Sequence, residues 1–357
     1  MKKSVSVTIA LDAMGGDYGP DVVIPGANLS LLRHPETHFL LFGDEKKIKT
    51  ALEAYPNLTA HCDVIHTDVS VPMDAKPSQA LRQGRHGSSM WQAIKAVKDG
   101  SADAVVSAGN TGALMAMAKV GLKMLPGIER PALAAIWPTV KSECIVLDVG
   151  ANVRASANQL FDFALMGVAM ARTIFNFETP SVGLLNVGVE EIKGLEEIKK
   201  ASNLLKNSEL PIEYYGFIEG TDIGLGTVDV VVSEGFSGNI ALKTAEGTAK
   251  QAVAYLKAAM NRSVLTRMGA FLAQTGFAEL KQKMDPRHNN GGPFLGVNGI
   301  AIKSHGGTDA TGFACAIDLA FDLAQKNILE KIIEDVKIFH NNLNDSAIQK
   351  EKLSAYP

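Results

Sequence analysis

The sequence predicts an α/β protein built on a largely parallel, helix-covered sheet. Three observations carry this reading. Short apolar, β-branched runs alternate with amphipathic stretches almost to the end of the chain. Five of those runs stop at turns built from Gly with Asp, Asn, Ser or His. The run 229–232 lacks the polar alternation of a half-solvated strand, as expected where helices cover both faces. In an open α/β sheet, parallel strands deliver such turns to one edge, where ligands bind. Glycines let backbone N–H groups crowd round an anion, and a following helix adds its positive end. The expectation is an enzyme whose site is mostly backbone and small polar groups, with phosphate as its guest.

In chain order, the strand 7–11 enters Asp12-Ala13-Met14-Gly15-Gly16-Asp17, and strands 38–43 and 62–67 follow. Residues 78–98 have helical periodicity. Strand 104–108 enters Gly109-Asn110-Thr111-Gly112 and a helix over 110–124. Strands 133–137 and 145–147 come next, the latter entering Asp148-Val149-Gly150-Ala151-Asn152. Helix 159–175, strand 182–187, helix 190–206 and strand 214–219 continue the alternation. Strand 230–232 then enters Ser233-Glu234-Gly235-Phe236-Ser237-Gly238-Asn239, and strand 300–302 enters Lys303-Ser304-His305-Gly306-Gly307. There is no internal repeat and no Pro- or Ser-rich linker. Residues 1–340 therefore read as a single α/β domain and 341–357 as a polar tail.

One region breaks the rhythm. Residues 244–284 are helix-like with no strand, about twice what a crossover needs, which predicts a projecting helical hairpin inserted at about 245–285. At its apex Val264, Leu265, Met268, Phe271 and Leu272 recur at i, i+3/4, i+7, and Phe277, Leu280 and Met284 extend the stripe. Between Lys257 and Arg287 six Lys/Arg face two acidic residues. A basic amphipathic hairpin suits a membrane surface or an acidic partner. A dimer interface or core packing explains the same apolar positions.

With 46% hydrophobic and 20% charged residues the composition is that of a globular protein, and a net charge of −3 carries no nucleic-acid signal. Cys62, Cys144 and Cys315 lack metal or CxxC spacing and read as inert thiols in a reducing compartment. Lys2-Lys3 and the apolar run after them imitate a signal peptide, but the run ends at Asp12. No window offers the roughly 18 uncharged apolar residues of a membrane helix. The expected location is cytoplasmic, with peripheral membrane contact open.

Several chemical motifs are excluded. There is no GxxxxGK[ST], and no GxGxxG follows a strand. Gly235-Phe236-Ser237-Gly238 falls short of a GxSxG elbow because Asn239 replaces its second Gly. His34 and His38 lack the HExxH glutamate and read as surface residues. His305 and Asp309 are one residue short of an HxxxxD pattern. What remains are anion-friendly turns. Asp12, Asp17, Asp148 and Glu234 could orient a lysine, hold a water or cap helices. Asn110 and Thr111 could cap a helix and donate to phosphate. Lys193, Lys243 and Lys303 each follow a strand-end turn, where solvated lysines are also common. Lys303 and His305 are delivered by an apolar strand straight into a Gly-Gly turn, although His305 could equally be structural.

These residues, in this order, resemble the bacterial phosphate acyltransferase family of phospholipid synthesis (PlsX-type acyl-[acyl-carrier-protein]:phosphate acyltransferases). The resemblance rests on residues 10–17, 107–115, 130–133, 147–152, 185–194, 217–220, 234–244 and 303–306, and covers roughly 5–335. It implies transfer of a fatty acyl group from acyl carrier protein to inorganic phosphate. The acyl phosphate then passes to a membrane-embedded glycerol-3-phosphate acyltransferase. It also implies a three-layer αβα fold like isocitrate and isopropylmalate dehydrogenases, a homodimer, peripheral membrane association through the hairpin, and neither metal nor nucleotide cofactor.

Three departures stand out. Glu234 occupies a usual Asp position, and Arg154 lies where an acidic residue and a Cys are common. Asn290-Gly291-Gly292-Pro293-Phe294-Leu295-Gly296 replaces Gly-Gly-Ala-Pro-Leu-Leu-Gly in an acyl-site loop. The expected catalytic residues are Lys303, His305, Asn239 and Glu234. Expected at phosphate or acyl group are Asp12, Gly15, Gly16, Asp17, Asn110, Thr111, Gly112, Asp148, Asn152, Asn186, Lys193 and Lys243. Phosphate is itself a nucleophile, so direct attack on the thioester is the expected mechanism. A phosphotransacetylase using acyl-CoA, a metal- and NAD-dependent dehydrogenase, and a non-enzymatic lipid-synthesis scaffold are the rival readings.

Overall fold

Every run marked as a strand in the sequence is one, within two residues at either end. The computed structural model describes residues 6–208, 211–283, 285, 287 and 290–337. Strand β1 (Thr8–Asp12) leads into α1 (Pro20–Arg33), β2 (His38–Gly43), α2 (Glu45–Leu52), the single turn α3 (Pro56–Thr59) and β3 (Cys62–His66). Helices α4 (Pro77–Gly84) and α5 (Ser89–Lys98) precede β4 (Ala104–Ser107) and α6 (Thr111–Leu122). The middle of the chain forms β5 (Ala132–Pro138), β6 (Glu143–Leu147), α7 (Ala157–Phe175), β7 (Ser181–Leu185), α8 (Glu196–Lys206), β8 (Glu213–Ile218), α9 (Gly220–Leu225) and β9 (Val230–Val232). Then come α10 (Gly235–Met260), α11 (Val264–Leu272), α12 (Gln274–Lys283), β10 (Gly292–Leu295), β11 (Ile300–Lys303) and α13 (Ala310–Gln325).

Two local expectations change. The helical stretch 78–98 is two helices, because Ser88 turns out of the helix and caps α5, its Oγ accepting from Trp91 N at 3.2 Å. Strand β10 was hidden because Gly291-Gly292-Pro293 reads as a turn. It is a strand because Phe294 and Leu295 pair with Leu133 and Ala132 on β5.

All strands share one 11-stranded sheet, ordered β3-β2-β1-β4-β11-β10-β5-β6-β9-β7-β8. Helices α1, α7 and α13 cover one face, burying Ile24, Phe163 and Phe313; α5 and α6 cover the other, burying Met90, Ile94, Leu114 and Met117. The three-layer αβα arrangement expected from the sequence is the one present.

The sheet is less parallel than expected, and this reorganises the site. Strand β10 is antiparallel to both β11 and β5, and β5 is antiparallel to β6. After these three reversals, β6, β9, β7 and β8 run opposite to β1, β4 and β11. The glycine turns therefore do not all reach one edge. Those after β1, β4 and β11 leave at one edge and those after β6, β9 and β7 at the other.

Helix α10 starts at the second edge and runs back along the sheet. Its 26 residues span about 39 Å, twice the length of the strands beneath, so its C-terminal half passes the first edge. The chain returns there too, since Gly292 pairs with Lys303 at the end of β11. The predicted hairpin thus projects from the edge that carries Lys303 and His305. At its tip Val264, Leu265, Met268, Phe271 and Leu272 are 59–83% exposed, which excludes core packing within the chain. Met284 and the tail 341–357 lie outside the described residues.

Candidate active site at one edge of the sheet

At the first edge, Asp12 ends β1 and is buried. Its carboxylate accepts from Ser89 Oγ and Ser107 Oγ, both at 2.6 Å, and Ser107 Oγ in turn accepts from Gly109 N at 3.0 Å. Asp12 therefore ties the first turn to the second, and its carboxylate is engaged by two serines. Gly16, at φ +85°, lets the turn pass close by: a Cβ there would lie 2.9 Å from Ala108 Cβ and 3.0 Å from the Gly306 carbonyl. Asp17 does not cap α1, whose N-cap is Gly19. Its amide donates to Gly306 O at 3.0 Å, which brings the third turn to the first.

Asn110 caps α6 by accepting from Ala113 N at 2.9 Å. Its amide donates to Met73 O at 2.6 Å and Ala75 O at 3.1 Å, holding down the 73–75 segment, so those donors are spent on the fold. A helix start leaves its first-turn amides without intrahelical partners, and here those of Thr111 and Gly112 lie at this edge.

Lys303 lies between these turns. Its Nζ donates to Ala108 O at 3.2 Å and to Ser304 O. Burial pulls its ammonium down to about 8 from an ordinary 10.5, with Asp12 and Asp17 resisting the fall. Burial likewise raises the Asp12 carboxyl, against the pull of the two serines, the Met14 amide and Lys303. Exposed His305 accepts from Gly307 N at its Nδ1, 3.2 Å away. With Nδ1 accepting, the ring N–H lies on Nε2 and can donate a hydrogen bond. The first edge thus combines a cation, two helix-start amides and an imidazole N–H.

At the second edge the motif residues are mostly turned inward. Asp148 is buried and accepts from the amides of Leu133, Gly150, Ala151 and Asn152 and from Asn152 Nδ2, at 2.7–3.1 Å. Asn152 Nδ2 also donates to Pro131 O at 2.7 Å. Glu234 caps α10, accepting from Ser237 N at 3.1 Å and Ser237 Oγ at 2.6 Å. Gly238 is required here, because a Cβ would lie 2.0 Å from the Asp148 carbonyl.

Asn239 faces Gly150. Buried Asn186 donates to Gly188 O and Lys193 O, shaping its own loop. Lys193 pairs with Glu190 at 2.8 Å, and Lys243 is solvated on α10. Within one chain, Glu234, Asn239, Asp148, Asn152, Asn186 and Lys193 are delivered to the edge opposite Lys303 and His305. The single constellation expected from the sequence is two.

Pro293, Phe294 and Leu295, expected in an acyl-site loop, are buried in β10. A groove of about 600 Å³ lies along α10, lined by Trp137, Ile223, Ala245, Thr248 and Ala252. Burial pushes the thiols of Cys62 and Cys144 up to about 11 and about 12, so neither is a ready nucleophile. His34 is not simply a surface residue: it stacks on Phe321, with centroids 4.1 Å apart. Among the described residues no His, Cys, Asp or Glu cluster could hold a metal ion, and no helix is long and apolar enough to cross a membrane. Sequence reading missed Ser89, Ser107 and Asn290. Ser107 left a trace as a polar residue closing an otherwise apolar strand, and Asn290 only as the first residue of an altered loop.

The family described as fatty acid synthesis protein matches residues 7–331. A protein from Azorhizobium caulinodans named phosphate acyltransferase is 60% identical, covering 93% of this chain and 94% of its own. A protein of the same name from Xanthobacter autotrophicus is 61% identical, over 91% and 92% of the two chains. Among solved structures, a phosphotransacetylase from Streptococcus pyogenes superposes with a TM-score of 0.58 at 18% identity, covering 91% of this chain and 94% of that one. The EutD phosphotransacetylase from Staphylococcus aureus does so at 0.55 and 15%, over 89% and 93%. At these identities the structural likeness speaks to the fold.

Proposed function

The chain belongs to the fatty acid synthesis protein family, and from that premise we propose that it transfers a fatty acyl group from acyl carrier protein to inorganic phosphate. The acyl phosphate product would serve phospholipid synthesis. The name carried by its close relatives supports acyl transfer to phosphate. The observation that carries the chemistry is the meeting, at one sheet edge, of the Lys303 ammonium, the first-turn amides of α6 and the Nε2–H of exposed His305.

Phosphate is held by Lys303 and the Thr111 and Gly112 amides. One of its oxygens attacks the thioester carbonyl carbon, and the carbonyl oxygen takes the negative charge. His305 Nε2–H stabilises that oxyanion, a contribution typically worth about 10²–10³ in rate. The intermediate collapses by breaking the C–S bond, whose electron pair leaves on sulfur. A thiol pKa of roughly 8.5 makes that departure easy. No protein nucleophile is needed, in keeping with the raised cysteine thiols. Glu234 and Asn239 take no part in this scheme within one chain.

The acyl chain would lie in the groove along α10, where Trp137 stands two strand positions from β11, about 10 Å away. The exposed apolar tip, flanked by exposed Lys257, Arg262 and Arg267, would rest on an anionic lipid surface, leaving the protein cytoplasmic and peripheral. The same edge then faces both the lipid and the acidic carrier protein. A homodimer is part of this reading, to be tested by sedimentation equilibrium.

The decisive assay is phosphate-dependent release of free thiol from acyl carrier protein thioester. Release with acyl carrier protein strongly preferred over acyl-CoA is expected. Preference for acyl-CoA moves the substrate to that of a phosphotransacetylase, and no release with either makes a non-enzymatic role the better account. An acylated side chain trapped during turnover would overturn direct attack.

A further inference from the structure

Asn290, in the segment between the hairpin and β10, makes four side-chain contacts around the His305 turn. Its Oδ1 accepts from the His305 backbone amide at 3.0 Å. Its Nδ2 donates to Ser304 Oγ at 2.8 Å, to Gly312 O at 2.7 Å and, more weakly, to Thr308 Oγ1 at 3.3 Å. The side chain is partly buried, and the next residue, Gly291 (φ +126°), passes so close to α13 that a Cβ would lie 3.1 Å from Ala316 Cα. Position 290 is therefore held in place by the main chain.

From this geometry we propose that Asn290 is a positioning residue that sets the His305 imidazole. One planar head grips the turn on one side and the first turn of α13 on the other. Only a carboxamide offers an acceptor for His305 N together with two donors for Gly312 O and Ser304 Oγ. An aspartate would set a carboxylate against the Gly312 carbonyl, and an alanine would leave these groups without their partner. Fixing the His305 main chain fixes the ring beside it, whose Nδ1 is met by Gly307 N. That contact assigns the ring N–H to Nε2. The role in catalysis rests on the reading of His305 as oxyanion donor given above; the control of its tautomer does not.

Two measurements test this separately. In the thiol-release assay, Asn290→Ala lowers kcat about tenfold, part of the loss expected when such a donor is misaligned, and leaves KM for phosphate within twofold. In a His305→Ala background the same change costs less than twofold, because the group it positions is gone. Equal losses in both backgrounds, or a rise in phosphate KM alone, would overturn the proposal. The second readout is long-range ¹H–¹⁵N correlation of ¹⁵N-histidine-labelled protein, with His305 assigned by its absence in His305→Ala. The native spectrum is that of an Nε2–H tautomer. Asn290→Ala and the near-isosteric Asn290→Asp give a mixture; an unchanged His305 pattern in both refutes positioning even if the enzyme is active. If native protein releases no thiol but the tautomer shifts as stated, the catalytic reading fails and the positioning role stands.

Discussion

Raising the pH should switch off the phosphate site through Lys303. Burial lowers this ammonium from 10.5 to about 8, so it carries its charge below that pH and loses it above. By simple titration about nine-tenths of the molecules hold the cation at pH 7 and about one-tenth at pH 9. Inorganic phosphate is already a dianion over the alkaline part of this range, and the Asp12 carboxylate is held beside the lysine by Ser89 and Ser107. The expected result is a fall of about tenfold in kcat/KM for phosphate between pH 7 and 9, measured by initial-rate thiol release at constant ionic strength.

Lys303→Arg separates the cation from its titration. A guanidinium stays charged throughout, so the variant, slower at pH 7 because a planar fork replaces a point charge, should show no limb near 8. A native profile flat to pH 10, or an Arg variant with the same limb, would refute the assignment. Stability runs the other way. The unfolded chain binds the Lys303 proton up to about 10.5 and the folded chain only to about 8. Stability from this group therefore rises with pH across that window while activity falls.

Three further variants have definite expected outcomes. Ser107→Ala removes one of two 2.6 Å hydrogen bonds to a buried carboxylate and should cost about 1–3 kcal/mol in urea unfolding, with a further rise in the Asp12 pKa. Gly238→Ala drives a methyl into the Asp148 carbonyl and should destabilise by about 3 kcal/mol or more, or abolish soluble expression. Replacing Leu265, Phe271 and Leu272 by Ser should weaken sedimentation with anionic vesicles by two to three decades, about 3–4 kcal/mol, while the unfolding midpoint stays put because the three side chains are exposed. Unchanged vesicle binding would instead assign the tip to a protein partner.

Much of this molecule is written locally. Runs such as 104–106 and 230–232 are strands because nothing in them can face water, and the turns after them are turns because of their glycines. The hairpin was legible from an uninterrupted helical period, since α10 needs only neighbouring residues to form. Strand order is different in kind. Strand β10 joins β11 to β5 antiparallel on both sides, and the antiparallel step from β5 to β6 then turns half the sheet over, sending Asp148 and Glu234 to the edge opposite Lys303; no local pattern records that β10 pairs with β5.

The roles of the polar residues were decided in the same way. Asp12 looked like a ligand group and proves to be a tie between turns, because Ser89 and Ser107 lie 77 and 95 residues away in sequence and 2.6 Å away in space. Asn290 looked like a mild loop change and proves to grip the His305 turn, 15 residues on. Composition and period thus settled which segments are strands, helices and glycine turns, because short-range sterics and burial settle them. Which carboxylates are tied into the fold, and that Lys303 and His305 share one edge, was settled by long-range pairing, which brings distant hydrogen-bonding groups together out of water.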